Sequence, residues 1–313
     1  MKCSSLPRLT SAVLLLTCFL HPAQADPLEI PFDFSRGAIG LEITVKGTTL
    51  NALLDTGVDP SVIAMSRAEA LGLPKDRGAG GEASGYGEGK AAPVYPATIT
   101  GLSIGGRAFG PIEALAADIA ATSAGYGRPI DAVLGYSFLK DKIVIIDYAA
   151  RKIGILDGLN EVQPWTRTCR KHMAMALQFL NDDNTPIIPE FRLGKASGPA
   201  TLDTGSNGGI ALFPRATTLP GVSSALVEDG EITHSGARGE AKSKSYTIKD
   251  PVGFGIFSLP PGQNVTMHSA QDEGDKRIAN VGNRLFAAMK LKILLDYRGK
   301  KVTFFGDCGR PKQ

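Results

Sequence analysis

A short motif that occurs twice decides the fold: NALLDTG at residues 51–57 and PATLDTG at residues 199–205. In each copy, small and apolar residues suited to a buried strand lead into an Asp-Thr-Gly triplet. Glycine at the third position permits backbone conformations that other residues resist. Each triplet is therefore expected to form a tight loop that presents a carboxylate, Asp55 in the first copy and Asp203 in the second.

The residues that follow each triplet are also repeated. Gly135 follows Asp55 by 80 residues (135 − 55), and Gly282 follows Asp203 by 79 residues (282 − 203). An Asp-Tyr pair then follows each aspartate at nearly equal spacing, 92 residues in the first copy and 93 in the second. Because these landmarks occur in the same order at the same spacing, the sequence indicates a duplication.

Local patterns around the two motifs are typical of strands and turns. Residues 41–45 alternate between apolar and polar side chains, and residues 188–193 form the corresponding strand before a predicted turn at residues 194–198. Ser66 and Glu69 fit the capping box of a short helix. With 37 glycines and 20 prolines spread over the whole chain, the sequence predicts an all-β fold with a few short helices.

The beginning of the chain has the pattern of a signal peptide. Positive charges precede an apolar stretch at residues 12–20, and small residues follow at positions 23–25, which predicts cleavage after Ala25. The apolar stretch is too short to span a bilayer stably, and no later stretch suits a membrane anchor. We therefore expect an exported protein, periplasmic or extracellular. Lipoprotein-type cleavage before Cys18 is a poorer alternative, because Thr17 precedes that cysteine.

Cleavage after Ala25 would leave Cys169 and Cys308 as the only two cysteines of the mature chain. Because exported proteins fold in an oxidising compartment, we expect these two cysteines to form a disulfide. The alternative is a pair of free, buried thiols.

Composition and motifs exclude several classes of function. Hydrophobic residues make up 43% of the chain, charged residues 21%, and the formal net charge is +3, which argues against disorder and against nucleic-acid binding. No His-Glu-x-x-His or paired-cysteine motif points to a metal site, and no glycine-flanked serine forms a nucleophile elbow. We therefore expect neither a metal nor another cofactor.

The repeated Asp-Thr-Gly triplets, the strands around them and the later glycine and Asp-Tyr landmarks resemble the pepsin and retropepsin families of aspartic peptidases. The resemblance covers nearly the whole mature chain. It implies a bilobal acid-protease-like β-barrel fold whose two duplicated lobes are related by a pseudo-twofold axis. Residues 1–25 would be the signal peptide, residues 26–160 the N-terminal lobe and residues 161–313 the C-terminal lobe.

The resemblance also implies a function and roles for individual residues. Asp55 and Asp203 would share one proton and activate one water that hydrolyses a peptide bond. Thr56 and Thr204 would exchange reciprocal hydrogen bonds between the two loops. Ser206 would keep a hydrogen bond to its carboxylate that Val58 cannot make, so that the two aspartates would differ. The expected supporting residues of the dyad are Thr56, Gly57, Thr204, Gly205 and Ser206.

The expected substrate is a peptide or protein, held under a glycine-rich flap at residues 84–89 with Tyr86 and Gly87 in contact with it. No nucleic-acid partner is expected, and because both aspartates come from one chain we expect a monomer. The alternative function is a catalytically weak peptide-binding module on the same fold. Such a module would bind peptides with little turnover.

Overall fold

Alternation of buried and exposed side chains makes the first half of the chain a series of short β-strands. The computed structural model describes residues 28–83, 89–180, 184–236, 238–269, 271 and 274–309. In the first half the elements are β1 (Leu28–Pro31), β2 (Gly40–Val45), β3 (Thr48–Leu54), β4 (Ser61–Ala64), α1 (Met65–Ala70), β5 (Gly81–Glu82), β6 (Pro93–Ile99), β7 (Leu102–Ile104), β8 (Arg107–Ala108), β9 (Ile112–Ala117), α2 (Ala120–Tyr126), β10 (Ala132–Leu134), α3 (Tyr136–Leu139), β11 (Ile143–Asp147) and β12 (Lys152–Leu156).

The second half is built in the same way after a short 3-10 helix, Leu159–Glu161. Its elements are α4 (Gln163–Thr166), β13 (Cys169–Ala176), β14 (Gln178–Phe179), β15 (Pro186–Leu193), β16 (Ala196–Asp203), β17 (Ile210–Leu212), a 3-10 helix (Pro214–Thr218), α5 (Val222–Ala225), β18 (Leu226–Gly236), β19 (Gly239–Ile248), β20 (Val252–Phe254), β21 (Phe257–Leu259), β22 (Gln263–Met267), β23 (Ala279–Gly282), α6 (Asn283–Ala288), β24 (Lys292–Asp296) and β25 (Lys301–Cys308).

The two halves form sheets with the same strand order. One sheet runs β5-β6-β9-β4-β10-β3-β2-β7-β8, and the other runs β18-β19-β22-β17-β23-β16-β15-β20-β21. The pairing sense also matches: β3 is parallel to β10 as β16 is to β23, and β4 is parallel to β9 as β17 is to β22. The predicted all-β fold and its duplication into two lobes are therefore confirmed.

A third sheet joins the lobes, in the order β1-β12-β11-β24-β25-β13. At its centre β11 and β24 are antiparallel, with Ile145 opposite Leu294 and symmetric pairing on either side. This pairing defines the pseudo-twofold axis, because each lobe contributes the equivalent strand. The apolar face of these strands is covered by Trp165, which is buried. The predicted lobe boundary between residues 160 and 161 stays a prediction, since strands from both sides of it share this sheet.

The predicted disulfide is confirmed. Cys169 at the start of β13 and Cys308 at the end of β25 lie opposite one another in the register of the two strands and are bonded. The bond fixes the last strand of the chain to the first strand after the segment that joins the lobes. Among the described residues, no helix has the length and apolar character needed to cross a bilayer.

Two local predictions are wrong. The capping box at Ser66 does not form, because strand β4 continues directly into α1 and buried Ala64 occupies the cap position without a side-chain hydrogen bond. The turn predicted over residues 194–198 is shorter, because β16 already pairs with β15 from Ala196 onward. Gly194, with φ of +62°, supplies the tight reversal that leaves only two residues outside the strands.

Candidate active site

The strand ends of the two lobes place Asp55 and Asp203 at equivalent positions. Asp55 directly follows β3, and its backbone N–H donates to the Leu134 carbonyl at the end of the parallel strand β10, at 3.0 Å. Asp203 ends β16, opposite Gly282 on the parallel strand β23. Both strands are buried just before the aspartate, so the apolar residues fix where each carboxyl emerges.

Reciprocal hydrogen bonds of the two threonines hold the loops together. The Thr56 N–H donates to Thr204 Oγ1, and the Thr204 N–H donates to Thr56 Oγ1, both at 3.0 Å. Each hydroxyl in turn donates across the interface, Thr56 to the Leu202 carbonyl at 2.7 Å and Thr204 to the Leu54 carbonyl at 3.0 Å. Both threonines are buried, so these four hydrogen bonds fix one lobe's loop on the other away from water.

Glycine is required after each threonine because the carboxyl group of the other lobe fills the adjacent space. A β-carbon built on Gly205 would lie 2.0 Å from Asp55 Oδ2, and one built on Gly57 would lie 3.0 Å from Asp203 Oδ1. The β-carbon built on Gly57 would also lie 3.2 Å from Asp55 Oδ1, so the two carboxyl groups lie against the opposite loops and border the same space.

The two carboxylates accept different sets of hydrogen bonds. Asp55 Oδ1 accepts from the Gly57 N–H at 2.7 Å. Asp203 Oδ1 accepts from the N–H groups of Gly205 at 2.8 Å and Ser206 at 3.0 Å, and Asp203 Oδ2 accepts from Asn280 Nδ2 at 2.7 Å. The Ser206 contribution is thus made by its backbone, because its hydroxyl oxygen instead accepts from the Gly208 N–H at 3.2 Å.

The carboxyl groups of Asp55 and Asp203 have different electrostatic environments. Burial raises the pKa of Asp55 well above its usual range, the neighbouring Asp203 carboxylate raises it further, and the Gly57 N–H only partly offsets these effects. Asp203 carries the larger number of N–H donors, which favour a charged carboxylate. The arrangement therefore suits a pair with one shared proton, held more readily on Asp55.

Two asparagines that sequence reasoning missed support the second loop. Asn280 is the amide donor to Asp203, whereas the equivalent position of the first lobe is the apolar Val133. Asn283 is fully buried and donates from Nδ2 to the carbonyls of Thr204 at 2.6 Å and Ser206 at 2.9 Å. The sequence signal that could have identified them is their position beside Gly282, the counterpart of Gly135. At these positions asparagines replace the first copy's Val133 and Tyr136.

Tyr126 was also missed and reaches the dyad from the first lobe. It is the last residue of α2, and its hydroxyl donates to the Gly205 carbonyl of the second lobe. Burial raises the pKa of Tyr126, and the charges of Asp55 and Asp203 raise it further, so this phenol stays protonated beside the pair. The helix ends there because Gly127 adopts a left-handed conformation, with φ of +62°.

The remaining sequence-predicted site residues are Tyr86 and Gly87, which lie outside the described residues. Across the described part of the chain, no group of three or more histidine, cysteine, aspartate or glutamate side chains is placed to hold a metal ion.

Two Asp-Thr-Gly loops that meet between duplicated β lobes are similar to the active site of aspartic peptidases. The model of the family described as Aspartyl protease matches residues 41–138, which include Asp55 and its loop. The resemblance to aspartic peptidases of the pepsin and retropepsin type is thereby confirmed.

Other comparisons add less. No curated protein sequence matches the chain. Among solved structures, the chain is similar to basic 7S globulin from soybean, with 12% identity, a TM-score of 0.49, and coverage of 90% of this chain and 95% of the globulin chain.

Proposed function

We propose that the protein is an exported aspartic endopeptidase that hydrolyses peptide bonds with a water molecule held between Asp55 and Asp203. The observation that carries the proposal is that both carboxyl groups border the same space beside Gly57, with each aspartate on a loop locked to the other lobe. Two carboxyl groups that share one proton can act as general base and general acid in the same step.

The unequal hydrogen bonding assigns the two roles. Ionised Asp203, stabilised by three N–H donors, takes a proton from the water while the oxygen of that water attacks the peptide carbonyl carbon. Protonated Asp55 gives its proton to the carbonyl oxygen, which yields a neutral tetrahedral intermediate. As the C–N bond breaks, Asp203 gives its proton to the leaving nitrogen and ionised Asp55 takes a proton from one hydroxyl of the intermediate. The products are a carboxylic acid and an amine, and the dyad again holds one proton, on Asp55.

The proposed mechanism allows cleavage only over a limited range of pH. The dyad works only while it holds one proton, so cleavage should be fastest on the acid side of neutral. Because burial and Asp203 both raise the pKa of Asp55, the loss of activity on the alkaline side should occur above the usual range of an aspartate. A rate that rises steadily toward alkaline pH would contradict the mechanism.

Export and a monomeric state are parts of the proposal. The disulfide between Cys169 and Cys308 supports an oxidising compartment. Both aspartates and both threonines come from one chain, so no second copy is needed to complete the site.

The test is incubation of the purified protein with a diverse pool of peptides, with cleavage products identified by mass spectrometry. We expect new peptide termini that depend on time and on Asp55, with the folded Asp55→Asn variant as the control. If the protein retained peptides but produced no new termini at any pH from acid to neutral, it would be the peptide-binding module instead.

A further inference from the structure

Three arginines, Arg36, Arg128 and Arg284, lie on segments that contact the loop carrying Asp203 or directly follow such a contact. Arg284 is exposed, and its backbone N–H donates to the Gly208 carbonyl at 2.9 Å, a few residues beyond the catalytic triplet. A β-carbon built on Gly37 would lie 3.0 Å from Arg284 Nε and 2.7 Å from the Asn207 carbonyl oxygen. The guanidinium of Arg284 therefore lies where the first lobe's segment before β2 meets the loop after Asp203.

Arg36 and Arg128 belong to neighbouring segments of the first lobe. Arg36 precedes Gly37, and its guanidinium carbon lies 3.6 Å from the β-carbon position of Gly127. Gly127 directly follows Tyr126, whose hydroxyl donates to Gly205 beside the dyad. Arg128 directly follows Gly127, and its guanidinium group pairs with Asp33 and packs against Gly40.

The charges of this cluster are not balanced. Arg128 pairs with Asp33 and packs against Gly40, and its buried Nε has no hydrogen-bond partner within the described residues. Arg36 and Arg284 are exposed, and within the described part of the chain neither makes an ion pair. Three guanidinium groups against the one paired carboxylate of Asp33 leave two positive charges in excess (3 − 1).

We propose that this arginine cluster, Arg36, Arg128 and Arg284, selects substrates with an acidic side chain at the end of the cleft beside Gly208. Guanidinium groups present several N–H donors in a planar fork that matches a carboxylate, and Arg36 and Arg284 are free to use them. The excess positive charge also attracts acidic segments of a protein toward this end of the site. The inference rests on the proposed peptidase function, because it assigns a preference to the same site.

The experiment uses matched peptides, drawn from sequences that the protein cleaves, that differ only by Glu or Gln at one position near the scissile bond. Rates are compared at about pH 6, where glutamate, with an ordinary pKa of about 4.3, is ionised. We expect kcat/KM to be about three- to tenfold higher for the Glu peptide at one position or at two neighbouring positions, a range typical of partly exposed ion pairs. High salt should reduce this ratio.

Variants of the arginines test whether the cluster is the source of the preference for glutamate. Arg36→Gln and Arg284→Gln should each lower the Glu-to-Gln ratio, and the double variant should bring it close to one. Both side chains are exposed, so folding should be retained. The matched control is Arg170→Gln, an exposed arginine next to the disulfide that pairs with Asp307, which should keep the wild-type ratio.

The outcomes separate the two proposals. Cleavage of both peptides with a ratio near one at every position would overturn the preference and leave the peptidase function intact. A preference that survives in the double variant would also overturn it, since the arginine cluster would not be its source. Failure to cleave any peptide would contradict the proposed function itself.

Discussion

At the scale of single residues, the two aspartates depend on neighbouring glycines, which have no side chain to occupy the space around the carboxyl groups. Gly57 and Gly205 leave room for the carboxyl group of the opposite lobe, and neither has a positive φ. Their requirement is therefore steric and not conformational. The contacts are unequal, because Asp55 lies closer to Gly205 than Asp203 lies to Gly57.

This inequality gives a prediction for two matched substitutions. Gly205→Ala would put a β-carbon 2.0 Å from Asp55 Oδ2, so Asp55 must move, whereas Gly57→Ala meets its nearest atom at 3.0 Å. A displacement of about 1 Å at a catalytic group can lower the rate about a hundredfold. We expect Gly205→Ala to lose at least that much in kcat/KM and Gly57→Ala to lose clearly less. A larger loss in Gly57→Ala, with both variants folded, would show that the dyad packs differently.

At the scale of elements, each Asp-Thr-Gly loop is held by the other lobe, through the threonine hydroxyls. Thr204 Oγ1 both accepts from the Thr56 N–H and donates to the Leu54 carbonyl. The site and the packing of the two lobes therefore share the same hydrogen bonds.

Thr204→Val tests this shared role, since valine keeps the shape of threonine but not the hydroxyl. The change leaves a buried N–H and a buried carbonyl without partners, and each unsatisfied group costs about 1–3 kcal/mol. We expect the free energy of unfolding in denaturant to fall by about 2–4 kcal/mol and cleavage to fall with it. Thr204→Ser, which keeps the hydroxyl, should lose less than half as much. Equal stability of the valine variant and the wild type would contradict the role assigned to this hydroxyl.

The strands and the paired aspartates were predictable because alternation, repeated triplets and equal spacing are local signals or simple repeats. The partners of the dyad were not. Asn280 approaches the aspartates from β23, and Tyr126 approaches them from the end of α2. Their positions depend on the register of the strand and on the residue at which the helix ends. The Ser206 contact was assigned to the wrong donor, because the sequence does not show that the loop turns its backbone N–H toward Asp203.

Two tyrosines at equivalent positions of the repeat show the same limit of prediction from sequence. Tyr148 and Tyr297 occupy equivalent positions, but Tyr148 donates to Asn283 Oδ1 at 2.7 Å, whereas the buried Tyr297 hydroxyl has no partner within the described residues and its ring packs near Tyr136. Duplication predicts equal backbones. It does not predict that unequal side chains make one loop better supported than the other.

At the scale of the whole molecule, the acid range proposed for activity is also a range in which the stability of the protein should depend on pH. His268 stacks on Phe213 with ring centres 4.6 Å apart, and burial lowers its pKa to about 4, with smaller effects from His234 and Arg277. An unfolded histidine titrates near pH 6.5. As the pH falls from about 6.5 toward 4, the unfolded chain takes up a proton before the folded chain does, so His268 costs stability over that interval.

We therefore expect His268→Gln to reduce the slope of unfolding temperature against pH between about pH 6.5 and pH 4. The absolute stability of the variant is not the readout, because the lost stacking lowers it at every pH. His172→Gln, at an exposed position on β13, is the control and should keep the wild-type slope. Thermal unfolding across this pH series checks the prediction, and an unchanged slope in His268→Gln would refute it.

The central claim is that two carboxyl groups, one from each lobe, act on one water. The most direct measurement compares peptide cleavage and thermal unfolding for Asp55→Asn, Asp203→Asn and the double variant. Each single change keeps the size of the side chain but prevents the shared-proton state, so each should abolish turnover, and the double variant should be scarcely worse because the two groups act as a unit. All three should fold, and Asp55→Asn should be at least as stable as the wild type near neutral pH, since it removes a buried carboxyl whose raised pKa costs stability above the ordinary pKa of an aspartate. Near-normal turnover by a folded Asp203→Asn protein would contradict the account, because one lobe alone would then carry the chemistry.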